Sequence, residues 1–162
     1  MTQTETVSKP VVVTPEQLLA HWQGHRRLTR RMIEAFPEDQ LFSFSIGGMR
    51  PFGVMAWEMQ QVSALTLTGL LSGEWPEPNW RGGVSPDRGE LLSAWDDLTA
   101  QIDREFLKVD TAFYAQQHAL PWGEMSGWAA AIYCIDNEIH HRGEGYVYLR
   151  ALGIEPPAFY ER

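Results

Sequence analysis

Between residues 14 and 37 a mostly apolar line returns every three or four positions: Leu18, Trp22, His25, Leu28 or Thr29, Met32 and Phe36. That spacing builds one face of an α-helix; a half-buried strand would alternate every second residue instead. The start is marked by Thr14-Pro15-Glu16-Gln17, where threonine caps, proline suits the first helical position and glutamine closes a capping box. Pro37 ends the segment. A second helix begins near Pro51, with Met55, Glu58, Val62, Leu65 and Gly69 in one stripe and Phe52, Met59 and Thr66 beside it. Two tryptophans, two prolines and two glycines between Glu74 and Pro86 mark a loop. A third helix is expected from Ser85-Pro86 through Leu91, Trp95, Leu98, Ile102 and Phe106, and a fourth from Ser126 to Leu152, stopped by Gly153 and Pro156-Pro157. Lys108 to Gly127 is less regular, and no stretch alternates with a period of two. Four amphipathic helices in a chain of 162 residues predict an all-α four-helix bundle. It would occupy residues 14–162 as one domain, after a disordered arm at 1–13.

The composition narrows the partners. A formal net charge of −8 offers no electrostatic footprint for nucleic acid, and Arg26, Arg27, Arg30 and Arg31 are spaced as a solvated helix face. No apolar run approaches the roughly 20 residues that span a bilayer, so no membrane partner is expected. Met1 to Pro10 lacks the apolar centre of a secretory signal. Cys134 is the single cysteine, which excludes an intramolecular disulfide and suits a reducing, cytoplasmic setting.

Polar residues crowd the fourth helix. At 100° per residue, Ala130, Cys134, Asn137, His141, Gly145 and Tyr148 share one face, with Glu138 and Glu144 at its margins. His141 therefore points inward, and His140 is turned away toward the surface. A buried imidazole needs hydrogen-bond partners or a metal. Glu58 is a natural counterpart, since a carboxylate on the apolar stripe of the second helix is costly unless paired. Cys134 lies on the same face, as a further ligand, a nucleophile or a small core residue. His25 sits on the first helix's stripe, where it either reaches this pocket or is a satisfied core histidine. Glu138 and Arg142, four residues apart, read as a helix-surface ion pair.

Two segments carry a resemblance. Asn137 to Pro157, with its His140-His141-Arg142-Gly143 run, Tyr148-Leu149-Arg150, Leu152-Gly153 and Pro156-Pro157, is similar to the C-terminal signature of the DinB/YfiT-like superfamily. Arg50 to Met59 resembles that superfamily's second-helix motif. The resemblance implies a four-helix bundle, often homodimeric, and a divalent metal such as zinc or nickel held by three histidines, one on the second helix and a His-x-x-x-His pair on the fourth. It also implies a metal-dependent enzyme, such as a transferase using a low-molecular-weight thiol, and its name suggests a stress-response role. His141 matches the last histidine of the pair. Asn137 and Glu58 stand where the other two would be, and Glu144 replaces a frequent glutamine. A Glu58, Asn137 and His141 set would suit a harder ion than three imidazoles do, with zinc, nickel and manganese all open. The alternative is a metal-free polar cluster in a protein that binds a small molecule or a partner without catalysis, Glu58 accepting a hydrogen bond from His141.

Overall fold

Each long helix begins and ends on a local signal. In α1 (Pro15–Ala35) the Thr14 side chain accepts from the Gln17 N–H at 3.2 Å while the Gln17 side chain accepts from the Thr14 N–H at 3.0 Å, closing the expected capping box. Helix α2 (Phe52–Ser72) starts directly after Pro51 and ends on Gly73, whose φ of 77° favours glycine and whose N–H reaches the Gly69 carbonyl. Helix α3 (Arg88–Glu105) starts later than Ser85-Pro86 suggests, because Asp87 is the residue whose side chain accepts from the Glu90 N–H. Helix α5 (Gly127–Ala151) is capped by Ser126, and Gly153 at φ 75° follows its end. The computed structural model describes residues 12–80 and 85–162. The arm expected at 1–13 lies outside them except for Val12 and Val13, as do residues 81–84 of the tryptophan-bearing loop.

The all-α bundle expected from periodicity is formed by α1, α2, α3 and α5. The irregular stretch after α3 holds three small elements: a 3-10 turn at Phe106–Lys108, the short helix α4 (Thr111–Ala115) and an antiparallel hairpin. The hairpin is a small extended addition to the all-α bundle, in the stretch that the sequence marks only as less regular. Its strands β1 (Gln117–Leu120) and β2 (Gly123–Ser126) pair Gln117 with Ser126 and Leu120 with Gly123. Four residues per strand, mostly exposed, are too few to write a legible alternation. No helix among the described residues is long and apolar enough to cross a membrane.

The bundle interior is layered. One apolar cluster contains Leu18, Trp22, Val62, Ile102, Phe106 and Ile135; the other contains Met32, Phe36, Phe52, Trp95, Tyr148 and Leu149. Along α1 and α5 the turns between them carry His25, Arg26, Thr29, Glu138, His141 and Arg142, all buried. Two expectations fall here. Arg26 is not on a solvated face: its guanidinium is wholly buried, stacked 4.0 Å over the Trp95 ring and bonded to Thr99, Gln60 and the Trp95 carbonyl. Glu138 and Arg142 are not a surface pair either. Glu138 is 0% exposed and accepts from Thr29 Oγ1 at 2.5 Å, while Arg142 bonds Thr29 Oγ1 at 3.0 Å and His25 Nδ1 at 2.8 Å. Helix α5 packs on both α1 and α2, so its buried arc is wider than one stripe.

Candidate functional site

Helices α2 and α5 run past each other in opposite directions: Phe52 meets Gly145, Glu58 meets His141, and Ser63 meets Cys134. Gly145 makes this approach close. A Cβ there would lie 2.5 Å from the Phe52 ring, so any larger residue would push the helices apart. One turn along α5, the short gap is filled by polar side chains.

His141 is the centre of that cluster. Its Nε2 lies 2.9 Å from Glu58 Oε1 and its Nδ1 lies 2.7 Å from Glu144 Oε2. Carboxylates only accept, so an imidazole satisfying both is doubly protonated. Burial alone would lower the His141 pKa, but hydrogen bonds to Glu58 and Glu144 outweigh it and the pKa is raised. Glu58 responds oppositely. The His141 bond, helped by Arg50 and opposed by burial, takes its carboxyl down to about 2. Arg50, from the loop before α2, donates to Glu58 Oε2, and its carbonyl accepts from the buried Tyr148 hydroxyl at 3.0 Å. Two carboxylates are thus balanced by an imidazolium and a guanidinium. The amide of Asn137 approaches Glu58 Oε1 at the long limit of 3.5 Å, and its buried Oδ1 has no hydrogen-bond partner.

The structure therefore brings Glu58, Asn137, His141 and Glu144 together. It separates two other residues from them. Cys134 lies deeper in the core, its Sγ 3.4 Å from Ser63 Oγ, and burial pushes its thiol up to about 12. His25 faces Arg142 on the α1 side of α5. Two residues at the site have no role in the sequence reading above. Arg50 belongs to a loop whose path has no periodic signature, although it opens the second-helix motif. His140 is exposed, yet one ligating atom each from His140, His141 and Glu144 lie within 4.8 Å of one another.

The donor chemistry fits a cation in one respect and resists it in another. Glu58 Oε1, His141 Nε2 and the Asn137 amide converge, and the amide oxygen is left to accept a hydrogen bond from a ligand or to coordinate a cation. A divalent ion replacing the Nε2 proton would leave Nδ1–H donating to Glu144, the outer-shell contact that orients metal-binding imidazoles. Against this, Arg50 already neutralises Glu58.

The whole chain, residues 1–162, matches the model of the DinB family. Among solved structures it resembles a DinB-like protein from Bacillus subtilis, with a TM-score of 0.71 and 18% identity over 90% of this chain and 99% of that one. A DinB-like protein from Bacillus cereus has a TM-score of 0.64 and 20% identity, covering 90% of this chain and 97% of that one. At these identities the likeness is one of fold. No curated protein matches the sequence.

Proposed function

Since the chain belongs to the DinB family, we propose that Glu58, Asn137 and His141 form a divalent-cation site and that the protein is a metal-dependent enzyme, its best class being a transferase using a small thiol. The observation that carries this reading is the convergence of Glu58 Oε1, His141 Nε2 and the Asn137 amide, whose buried Oδ1 has no hydrogen-bond partner. Glu58 and His141 would hold the ion, Asn137 would complete the face, and Glu144 would keep His141 in the right tautomer. An oxygen-rich set of this kind accepts zinc, nickel or manganese, with lower zinc affinity than three imidazoles give. When bound, the ion would supply Lewis acidity, lowering the pKa of a bound thiol or water. Arg50 reduces the negative charge available to the ion, and its side chain is half exposed at the rim. The family resemblance also carries a homodimer into the proposal; the exposed Trp128, Ile139 and Val147 of α5 are a surface it would cover.

One observation favours a second reading. Every charge in the cluster already has an opposite partner, so the same pocket serves as a metal-free site for a small molecule, in a non-catalytic or stress-response protein. Metal analysis of untagged protein separates the two, compared with His141→Ala and Glu58→Ala. Near-stoichiometric metal lost in both variants supports the cation site. If zinc, nickel and manganese all fail to bind when added back, the cation reading is wrong and the metal-free one stands.

A further inference from the structure

His141 has two ring nitrogens, and α2 and α5 together set ligating groups beside both. On the Nε2 side stand Glu58 and Asn137; on the Nδ1 side stands Glu144 at 2.7 Å, and the ring of His140 lies next to that of His141. The two imidazole rings have centroids 4.9 Å apart and are inclined by 60°. Their ligating atoms and that of Glu144 fall within 4.8 Å of one another. Donors about 2.1 Å from a shared ion stand roughly 3.0–3.5 Å apart, so the set has to draw in by about 1–2 Å to share one. His140 is exposed, so its ring can move without disturbing the core.

We propose that His140, His141 through Nδ1, and Glu144 form a second divalent-cation position on the solvent side of α5. It goes beyond the reading above, sharing His141 as a ligand and turning Glu144 from an orienting partner into a second ligand. The two positions exclude each other, because a neutral imidazole has one lone pair. Whichever nitrogen binds, the other N–H donates to a carboxylate: Glu58 when the ion is outside, Glu144 when it is inside. The ligand sets also differ in kind. Two imidazoles and a carboxylate favour zinc, nickel or copper, whereas one imidazole with two oxygen donors favours a harder ion. The outer set lies within five residues of one helix, so it needs nothing from α2.

Copper(II) is the probe, since it binds nitrogen sites most tightly and its paramagnetic resonance spectrum counts nitrogen ligands. The full, untagged chain is used with His21→Ala as background, because the His21 and His25 Nε2 atoms lie 3.2 Å apart and offer a competing imidazole pair. At one equivalent the spectrum is expected to show two nitrogens, with a stoichiometry of one ion per chain. His140→Ala is expected to leave one nitrogen and weaken binding at least about tenfold. Glu58→Gln leaves the two-nitrogen signal in place, and His141→Ala removes it. If His140→Ala changes neither signal nor affinity while Glu58→Gln abolishes both, the outer position does not exist and the inter-helix site stands alone. Undiminished binding in His141→Ala, or no binding by the parent, overturns both positions.

Discussion

His25 makes the fold sensitive to acid. Its ring is 2% exposed and its Nδ1 accepts from the Arg142 guanidinium at 2.8 Å. Burial, followed by the charges of Arg142, His21 and Arg162, pushes its pKa from 6.5 to about 3. Unfolded chains protonate this histidine near 6.5; the folded protein does not until about 3. Between those values the unfolded state holds more protons, so stability falls as pH falls, by about 1.4 kcal/mol per unit. At pH 5, about 1.5 units below the unfolded value, the loss is about 2 kcal/mol, a large part of the roughly 5–15 kcal/mol that holds a domain folded. His25→Asn keeps an acceptor near Nδ1 and removes the titration. Urea unfolding followed by tryptophan fluorescence, with chelator present, gives stability at pH 7.5, 6 and 5. The variant should be less stable at pH 7.5 because it loses ring packing, and the gap should move by about 2 kcal/mol in its favour by pH 5. Curves that stay parallel within about 0.5 kcal/mol would show that His25 takes up its proton in the folded state, and the burial reasoning would fail.

The other expectations concern α2 and α5. In metal-free Glu58→Gln, the His141 pKa should fall, read by NMR, because the variant removes a carboxylate from Nε2. The depressed Glu58 pKa contributes stability above 4.5 that is lost as pH falls toward 2, and the raised His141 pKa contributes stability below 6.5 that is lost as pH rises through its folded value. The variant's deficit should therefore be widest between pH 4.5 and 6.5; a flat deficit refutes the pairing. Cys134, 1% exposed with its thiol pushed up to about 12, should react with a disulfide reagent only after denaturation, and immediate reaction in native protein would contradict its burial. Gly145→Ala places a Cβ 2.5 Å from the Phe52 ring and should cost about 1–3 kcal/mol of overpacking, against a helix-propensity gain of roughly 1 kcal/mol. Gly143→Ala meets nothing within 4 Å and should stabilise; thermal unfolding of the pair isolates the close approach of α2 and α5.

Periodicity was enough to find the bundle because each long helix writes its buried face as a repeating stripe, and Thr14, Gly153 and Ser126 mark ends by mechanisms that act within a few residues. The hairpin at 117–126 had no such signature, since its residues are mostly exposed and its strands are short. The start of α3 was misplaced for a related reason. Ser85-Pro86 and Asp87 all carry helix-start chemistry, and only the hydrogen bond from Glu90 N–H to Asp87 decides between them.

The cluster was legible to the extent that it interrupts apolar stripes. Glu58 and His141 stand out because each occupies a position where packing alone would put a hydrocarbon. Glu138 and Arg142 escaped the same logic because they satisfy a simpler rule, the i, i+4 pair, which holds equally on a surface and in a core. What decides between those settings is the width of α5's buried arc, set by how many neighbours the helix has. Packing on both α1 and α2 buries two polar sets on the same turns of α5, one facing each neighbour. Glu138 and Arg142 join His25 and Thr29 of α1; Asn137, His141 and Glu144 join Glu58 of α2. The first set has its carboxylate, guanidinium and imidazole sealed between helices, where they hold one another in register. The second opens to solvent through Glu58 and Glu144, at 20% and 24% exposure, so a ligand can reach it without the bundle parting. That difference in access, rather than residue type, is what makes the α2 side the candidate site and the α1 side its support.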